Sequence, residues 1–260
     1  MDIKKILLAE FIGTFILVFT ATGAIVFDSM TNGTITHIGV SLVFGVVVMV
    51  VIYAIGDISG ADINPAVTIG LAISGEFPAN RIAPYILFQC LGATAASFTL
   101  LLLFGNHGEM GATIPIEIND QRLTYECLIL EVILTFILMF VVLNVAINSP
   151  NKKTVAGLII GGIIAVEACF AGPISGASMN PARSLGPALA SGNFTDFWIY
   201  IVGTISGAAL AVPFWKYLVS NNIEQGKSHR NRPRRNKPRN RPPQRQEKQQ
   251  WKKRGSNQQF

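Results

Sequence analysis

Apolar residues fill this chain in long, nearly unbroken blocks as far as Val219. The block from Ile38 to Gly56 contains no charged residue, and the block from Leu128 to Ile147 contains one, Glu131. A helix that crosses a bilayer needs about 20 such residues. The pattern predicts six spans, near Ile6–Phe27, Thr36–Gly56, Arg81–Phe104, Tyr125–Asn148, Thr154–Ala171 and Phe194–Val219. The fold class expected is an all-α, polytopic membrane protein.

Two shorter stretches, about Asn64–Ser74 and Asn180–Ala190, are too short and too mixed to span. Each opens on the same tripeptide, Asn64-Pro65-Ala66 and Asn180-Pro181-Ala182, and each follows a Ser-Gly-Ala segment. Asn is a good helix N-cap and Pro is favoured at the first helical position. Each stretch therefore reads as a half-helix that starts inside the membrane. Matched half-helix starts in the two halves of a membrane protein point to a binding or permeation site at the midplane.

The halves repeat elsewhere too. The segment from Ala9 to Leu17 echoes that from Leu130 to Leu138, with Glu10 matched to Glu131, 121 residues on; the Asn-Pro-Ala copies are 116 apart. Three spans per half insert the second copy upside down, an inverted repeat with one half-helix entering from each face. The repeats are expected at about 1–112 and 113–225, within one channel-like domain of residues 1–225. Small-xxx-small patterns at Gly157/Gly161 and Gly203/Gly207 favour close helix packing.

Charge adds a second segment and an orientation. The chain has 260 residues, half of them hydrophobic, and a formal charge of +6. From Gly226 to Phe260 there are thirteen Lys/Arg and one acid, so this stretch carries +12 and the rest carries −6. Rich in Pro, Gln and Asn and poor in apolar residues, it is expected to be a disordered tail. Its expected partner is anionic lipid. Nucleic acid is the weaker alternative, because only Trp251 and Phe260 offer stacking. Lys4, Lys5, Arg81, Lys152, Lys153 and Lys216 fall on the side of the tail, which places both termini in the cytoplasm, with the cell membrane as the host expected. Cys90, Cys127 and Cys169 form neither a metal pattern nor a disulfide framework. No cofactor, metal or catalytic site is expected, so the chain is not read as an enzyme.

The chemistry lies in the polar residues of the apolar blocks. As N-caps, Asn64 and Asn180 accept backbone N–H bonds and leave their amide N–H groups for a lumen. The half-helix dipoles place positive potential where the two starts meet, which suits neutral solutes with an acceptor oxygen and repels cations. Arg183 follows the second tripeptide. A membrane-embedded Arg is costly and marks function; the alternative is a salt-bridged structural Arg. Glu10 and Glu131 read as structural carboxylates that accept hydrogen bonds from the irregular backbone leading into each half-helix. Proton relay is the alternative, and Glu167 is a further candidate for facing a pore. Asp62 reads as a solvated loop carboxylate, with cation binding or a pH response as the other reading.

These residues resemble the aquaporin family, the major intrinsic proteins, from Ile6 to about Val219. The resemblance rests on the doubled Asn-Pro-Ala, the Arg after the second copy and the paired glutamates. It implies six tilted helices with two re-entrant half-helices in an inverted-repeat aquaporin-like fold, and a homotetramer with one pore per subunit. It also implies passive transport of water and small neutral solutes. Ser184 and Ala188 resemble the water-channel branch, where glycerol facilitators carry Asp and a basic residue; Tyr200 is also water-channel-like, and Ile201 departs from the usual Trp. The family's four-residue selectivity filter falls by spacing on Phe44, Ala168, Ala177 and Arg183. Strict water channels usually have His where Ala168 stands, so a wider, less polar opening is implied. The stretch from Ala171 to Ala188 is similar to the plant nodulin-26-like subgroup, which passes glycerol, ammonia or metalloid acids as well as water and often has Trp at the position of Phe44. The expectation is a channel for water and such solutes. The alternatives are a strictly water-selective channel, a secondary transporter, and a closed-pore structural membrane protein.

Overall fold

Inside a bilayer the backbone has no water to bond with, so a chain of this composition satisfies its own N–H and C=O groups in helices. The computed structural model describes residues 2–147 and 154–230 and is almost entirely helical. Its helices are α1 (Ile3–Met30), α2 (Thr36–Ser59), α3 (Pro65–Ser74), α4 (Ile82–Phe104), α5 (Thr124–Val142), α6 (Ala156–Ser175), α7 (Pro181–Ser191) and α8 (Phe197–Arg230). Six of these elements, all but the short α3 and α7, are long and apolar enough to cross a membrane. Residues through Asn221 form one compact unit. Lys152, Lys153 and the part of the basic tail at 231–260 lie outside the described residues.

The helix ends show what sets the boundaries. α1 starts before the predicted Ile6 because Asp2 caps it, accepting from the Lys4 amide at 3.1 Å. α2 and α6 run past their predicted ends at Gly56 and Ala171 to Gly60 and Gly176, whose φ of 97° and 83° stops them. That left-handed conformation is one glycine adopts without strain. α8 continues to Arg230, five residues into the stretch that composition marks as tail. A small hairpin, β1 (Glu117–Ile118) and β2 (Gln121–Arg122), had no counterpart in the predicted elements. Its turn residues Asn119 and Asp120 have φ of 53° and 61°, the pair of positive values that a tight hairpin turn requires.

The exterior differs from that of a soluble protein. Leu42, Val46, Val50, Leu87, Leu91 and Leu102 are exposed, whereas Glu10, Gln89, Glu131, Glu167 and Thr204 are buried. An apolar exterior is what lipid as solvent selects, and the interior is an apolar core that also holds these polar groups. Helices meet through glycines. A Cβ at Gly45 would strike the Gly161 carbonyl, and one at Gly161 would strike that of Gly45, so α2 and α6 approach backbone to backbone. Gly92 packs in the same way on the Phe11 carbonyl of α1, and Gly207 on the Val132 carbonyl of α5. Phe11 and Val132 follow the repeated glutamates directly, so the same contact is made once in each half.

Candidate functional site

Each short helix begins on its Asn-Pro pair. The Asn64 side chain accepts from the Ala66 amide at 2.9 Å; the Asn180 side chain accepts from Ala182 at 3.0 Å and Arg183 at 3.2 Å. The remaining amide group of each Asn is only partly free. Asn64 Nδ2 donates to the Met179 carbonyl at 2.8 Å and Asn180 Nδ2 donates to the Ile63 carbonyl at 2.9 Å. One hydrogen of each amide therefore locks the opposite loop, and the second is left for the lumen. The capping pattern alone points both at the lumen; the structure spends one on the opposite loop. The locks bring two tripeptides 116 residues apart to a common junction.

The backbone leading into each half-helix is strained. Ala61 and Ile63 in the first leader have φ of 54° and 44°; Ala177 and Met179 in the second have 41° and 53°. Positive φ is uncommon outside glycine and is an outlier for a β-branched residue such as Ile63. Such conformations persist where surrounding bonds over-determine them. Those bonds come from the two buried glutamates. Glu10 accepts from the amides of Asp62 (3.2 Å) and Ile63 (2.8 Å), from Ser59 Oγ (2.6 Å) and from Gln89 Nε2 (2.8 Å). Glu131 accepts from the amides of Ser178 and Met179, each at 2.9 Å, and from Ser175 Oγ at 2.7 Å.

Sequence reasoning missed the next ring of supports. Tyr85 Oη donates to the Ser59 carbonyl at 2.8 Å, and Tyr200 Oη donates to the Ser175 carbonyl at 2.7 Å. The two tyrosines and the two serines stand at nearly the same offset as the tripeptides, a signal present in the sequence once the repeat is aligned. Asp62 is 8% exposed and accepts from Thr68 Oγ1 at 2.9 Å, so it is a buried carboxyl rather than a solvated one. Glu167 is buried and neither carboxyl oxygen has a partner among the described residues.

Two cavities meet at Phe44 and Arg183. The larger, about 620 Å³, opens at the end of the molecule that holds the C-terminus of α2, and is lined by Asp57, Asp62, Asn64, Ala177 and Asn180. The other, about 450 Å³, opens at the opposite end and is lined by Asp28, His37, Ser41 and Ala168. Phe44 and Arg183 border both. All four spacing-derived filter positions thus come together around one junction. Arg183 is 3% exposed, and its Cζ lies 5.0 Å from the Phe44 ring centroid. Its Nη1 donates to the Gly111 carbonyl at 2.7 Å, and it makes no ion pair among the described residues. Such a guanidinium has no carboxylate in direct contact among the described residues, although the buried Glu131 lies within electrostatic reach. Among the described residues no group of three or more His, Cys, Asp or Glu is placed to hold a metal.

A family model described as "Major intrinsic protein" matches residues 1–215. Aquaporin NIP1-1 of Zea mays is 47% identical over 216 residues, covering 83% of this chain and 74% of that protein. Aquaporin NIP1-4 of Oryza sativa subsp. japonica is 45% identical over 214 residues, covering 82% and 76%. Among solved structures, the aquaglyceroporin from Plasmodium falciparum superposes with a TM-score of 0.76 at 24% identity, over 86% of this chain and 100% of that one. That likeness concerns the fold.

Proposed function

This chain belongs to the major intrinsic protein family, and from that premise we propose that it conducts water and small uncharged solutes passively, in both directions, along the two joined cavities. It is an integral multi-pass membrane channel and not an enzyme. The observation that carries the finer reading is the junction itself: two cavities from opposite ends, separated by Phe44 and Arg183. Phe44, Ala168, Ala177 and Arg183 form the selectivity filter. Arg183 binds solute oxygens and repels cations, assisted by the positive ends of α3 and α7. The methyl group of Ala168 adds little bulk and no polar atom, which favours solutes larger than water, such as glycerol and metalloid acids, and the less polar ammonia.

Glu10 and Glu131 hold the leaders and do not carry protons. Their oxygens are engaged by backbone amides and serine hydroxyls, which argues against a proton-coupled transporter. Both termini face the cytoplasm of the cell membrane, the protein assembles as a homotetramer, and the basic tail lies on anionic lipid.

Stopped-flow light scattering on proteoliposomes tests the reading. A sucrose step reports water flux and a glycerol step reports solute flux. Fast flux of both is expected. Fast shrinkage with glycerol uptake at the protein-free rate would show a strict water channel, and background rates for both would overturn the channel reading.

A further inference from the structure

The cavity on the Ala168 side contains a polar group that the filter reading leaves unused. His37, Ser41 and Phe44 stand four and three residues apart on α2, so helical periodicity puts them on one face, and all three line this cavity. The His37 ring reaches across to α6. Its Nε2 lies 2.6 Å from the Cys169 carbonyl, adjacent in sequence to Ala168. It rests on Gly172, where an added Cβ would come within 2.9 Å of its Cε1. A carbonyl oxygen only accepts, so Nε2 carries the hydrogen. In the neutral ring Nδ1 is then an acceptor, and it has no partner among the described residues.

Side-chain acceptors are few in this cavity, and next to Phe44 and Ala168 the wall offers donors or apolar surface. Arg183 only donates, and Phe44 and Ala168 do neither. Ser41 Oγ spends its hydrogen on the His37 carbonyl at 2.8 Å. Asp28 Oδ1 is taken by the amides of Ile35 and Thr36 at 2.8 and 2.9 Å, which leaves Oδ2, on the last turn of α1, as a second acceptor of this cavity. A solute with several hydroxyls arriving at this end loses water from its O–H groups as well as from its oxygens. Arg183 replaces what the oxygens lose, and an imidazole acceptor replaces what an O–H group loses.

The geometry points to His37 as a specificity-determining residue of the channel, an acceptor for the hydroxyl groups of neutral polyhydroxy solutes as they approach Phe44 and Arg183. The inference rests on the channel reading above. Water gains less from this acceptor, because a water molecule in file keeps bonds to the waters ahead and behind. A polyol displaces those waters and depends on the wall.

The test compares full-length wild type with His37→Phe and His37→Gln in proteoliposomes, reading the ratio of glycerol to water permeability. Phe keeps a ring of similar size without the acceptor; Gln restores a side-chain oxygen. His37→Phe is expected to lower the ratio about fivefold, the size of one lost hydrogen bond, and His37→Gln to recover at least half of that loss. A ratio unchanged in His37→Phe, whether both fluxes stay or both fall together, would overturn the inference and leave His37 as a tie between α2 and α6. A lowered ratio that Gln does not recover would also overturn it, by tracing the effect to shape. Background glycerol and water flux in the wild type would instead overturn the channel reading itself.

Discussion

In the proposed filter, Arg183 supplies charge and Ala168 supplies space. The guanidinium is fixed by the Gly111 carbonyl and the Phe44 ring, so its remaining donors are pre-aimed rather than searching. Ala168 faces the cavity beyond Phe44 with a methyl group. Replacing it with an imidazole adds volume and a polar edge to that cavity. In proteoliposomes, Ala168→His is expected to reduce glycerol permeability about tenfold or more, equivalent to about 1.4 kcal/mol in the barrier, with a smaller loss for water. Equal loss of both would remove Ala168 from the filter. Spacing alone singled out these residues, which line the two cavities, but it could not show that Asp62 is buried against Thr68. A single acidic residue in a loop reads as solvated unless the chain that covers it is known.

At the scale of elements, the leaders and the glycine contacts decide stability. Glu131 serves two amides and a hydroxyl, and hydrogen bonds to a charged group are worth about 1.5–3 kcal/mol each. Glu131→Ala is therefore expected to destabilise the folded channel by at least about 3 kcal/mol, seen as a large fall in the unfolding midpoint in detergent. An unchanged midpoint would mean that the second leader is held by other contacts. Neighbouring glycines on α6 give an internal comparison. A Cβ at Gly161 strikes the Gly45 carbonyl, whereas one at Gly162 meets nothing within 4 Å. Gly161→Ala should cost about 1–3 kcal/mol through overpacking, while Gly162→Ala should be neutral or stabilising by up to about 1 kcal/mol through helix propensity. The small-residue spacing was legible in the sequence; which partner helix it meets was not, because packing partners are set by three-dimensional proximity.

Across the whole molecule, the two halves are fastened by their own signature residues. Asn64 donates to the carbonyl of Met179 and Asn180 to that of Ile63, so each half-helix start holds the other's leader. Residues within one network do not add. Asn64→Ala and Asn180→Ala are each expected to lose about 1–2 kcal/mol from the lost cap alone. The double variant should lose less than the sum, by about 0.5 kcal/mol or more. Strict additivity in thermal unfolding would show that the halves are not coupled through these amides.

The amino-acid sequence by itself determined the helices, their number of crossings, the two half-helices and the internal duplication. Each of these follows from local properties: length of apolar runs, capping residues and repeated spacing. The tertiary structure decided what those elements do together. It directed one amide hydrogen of each Asn into the opposite loop, set Tyr85 and Tyr200 behind the leaders, and brought His37 from α2 to the backbone beside Ala168. Such contacts join residues more than a hundred positions apart in some cases. Their partners are chosen by how the apolar helices close on their glycines, and no local pattern encodes that choice.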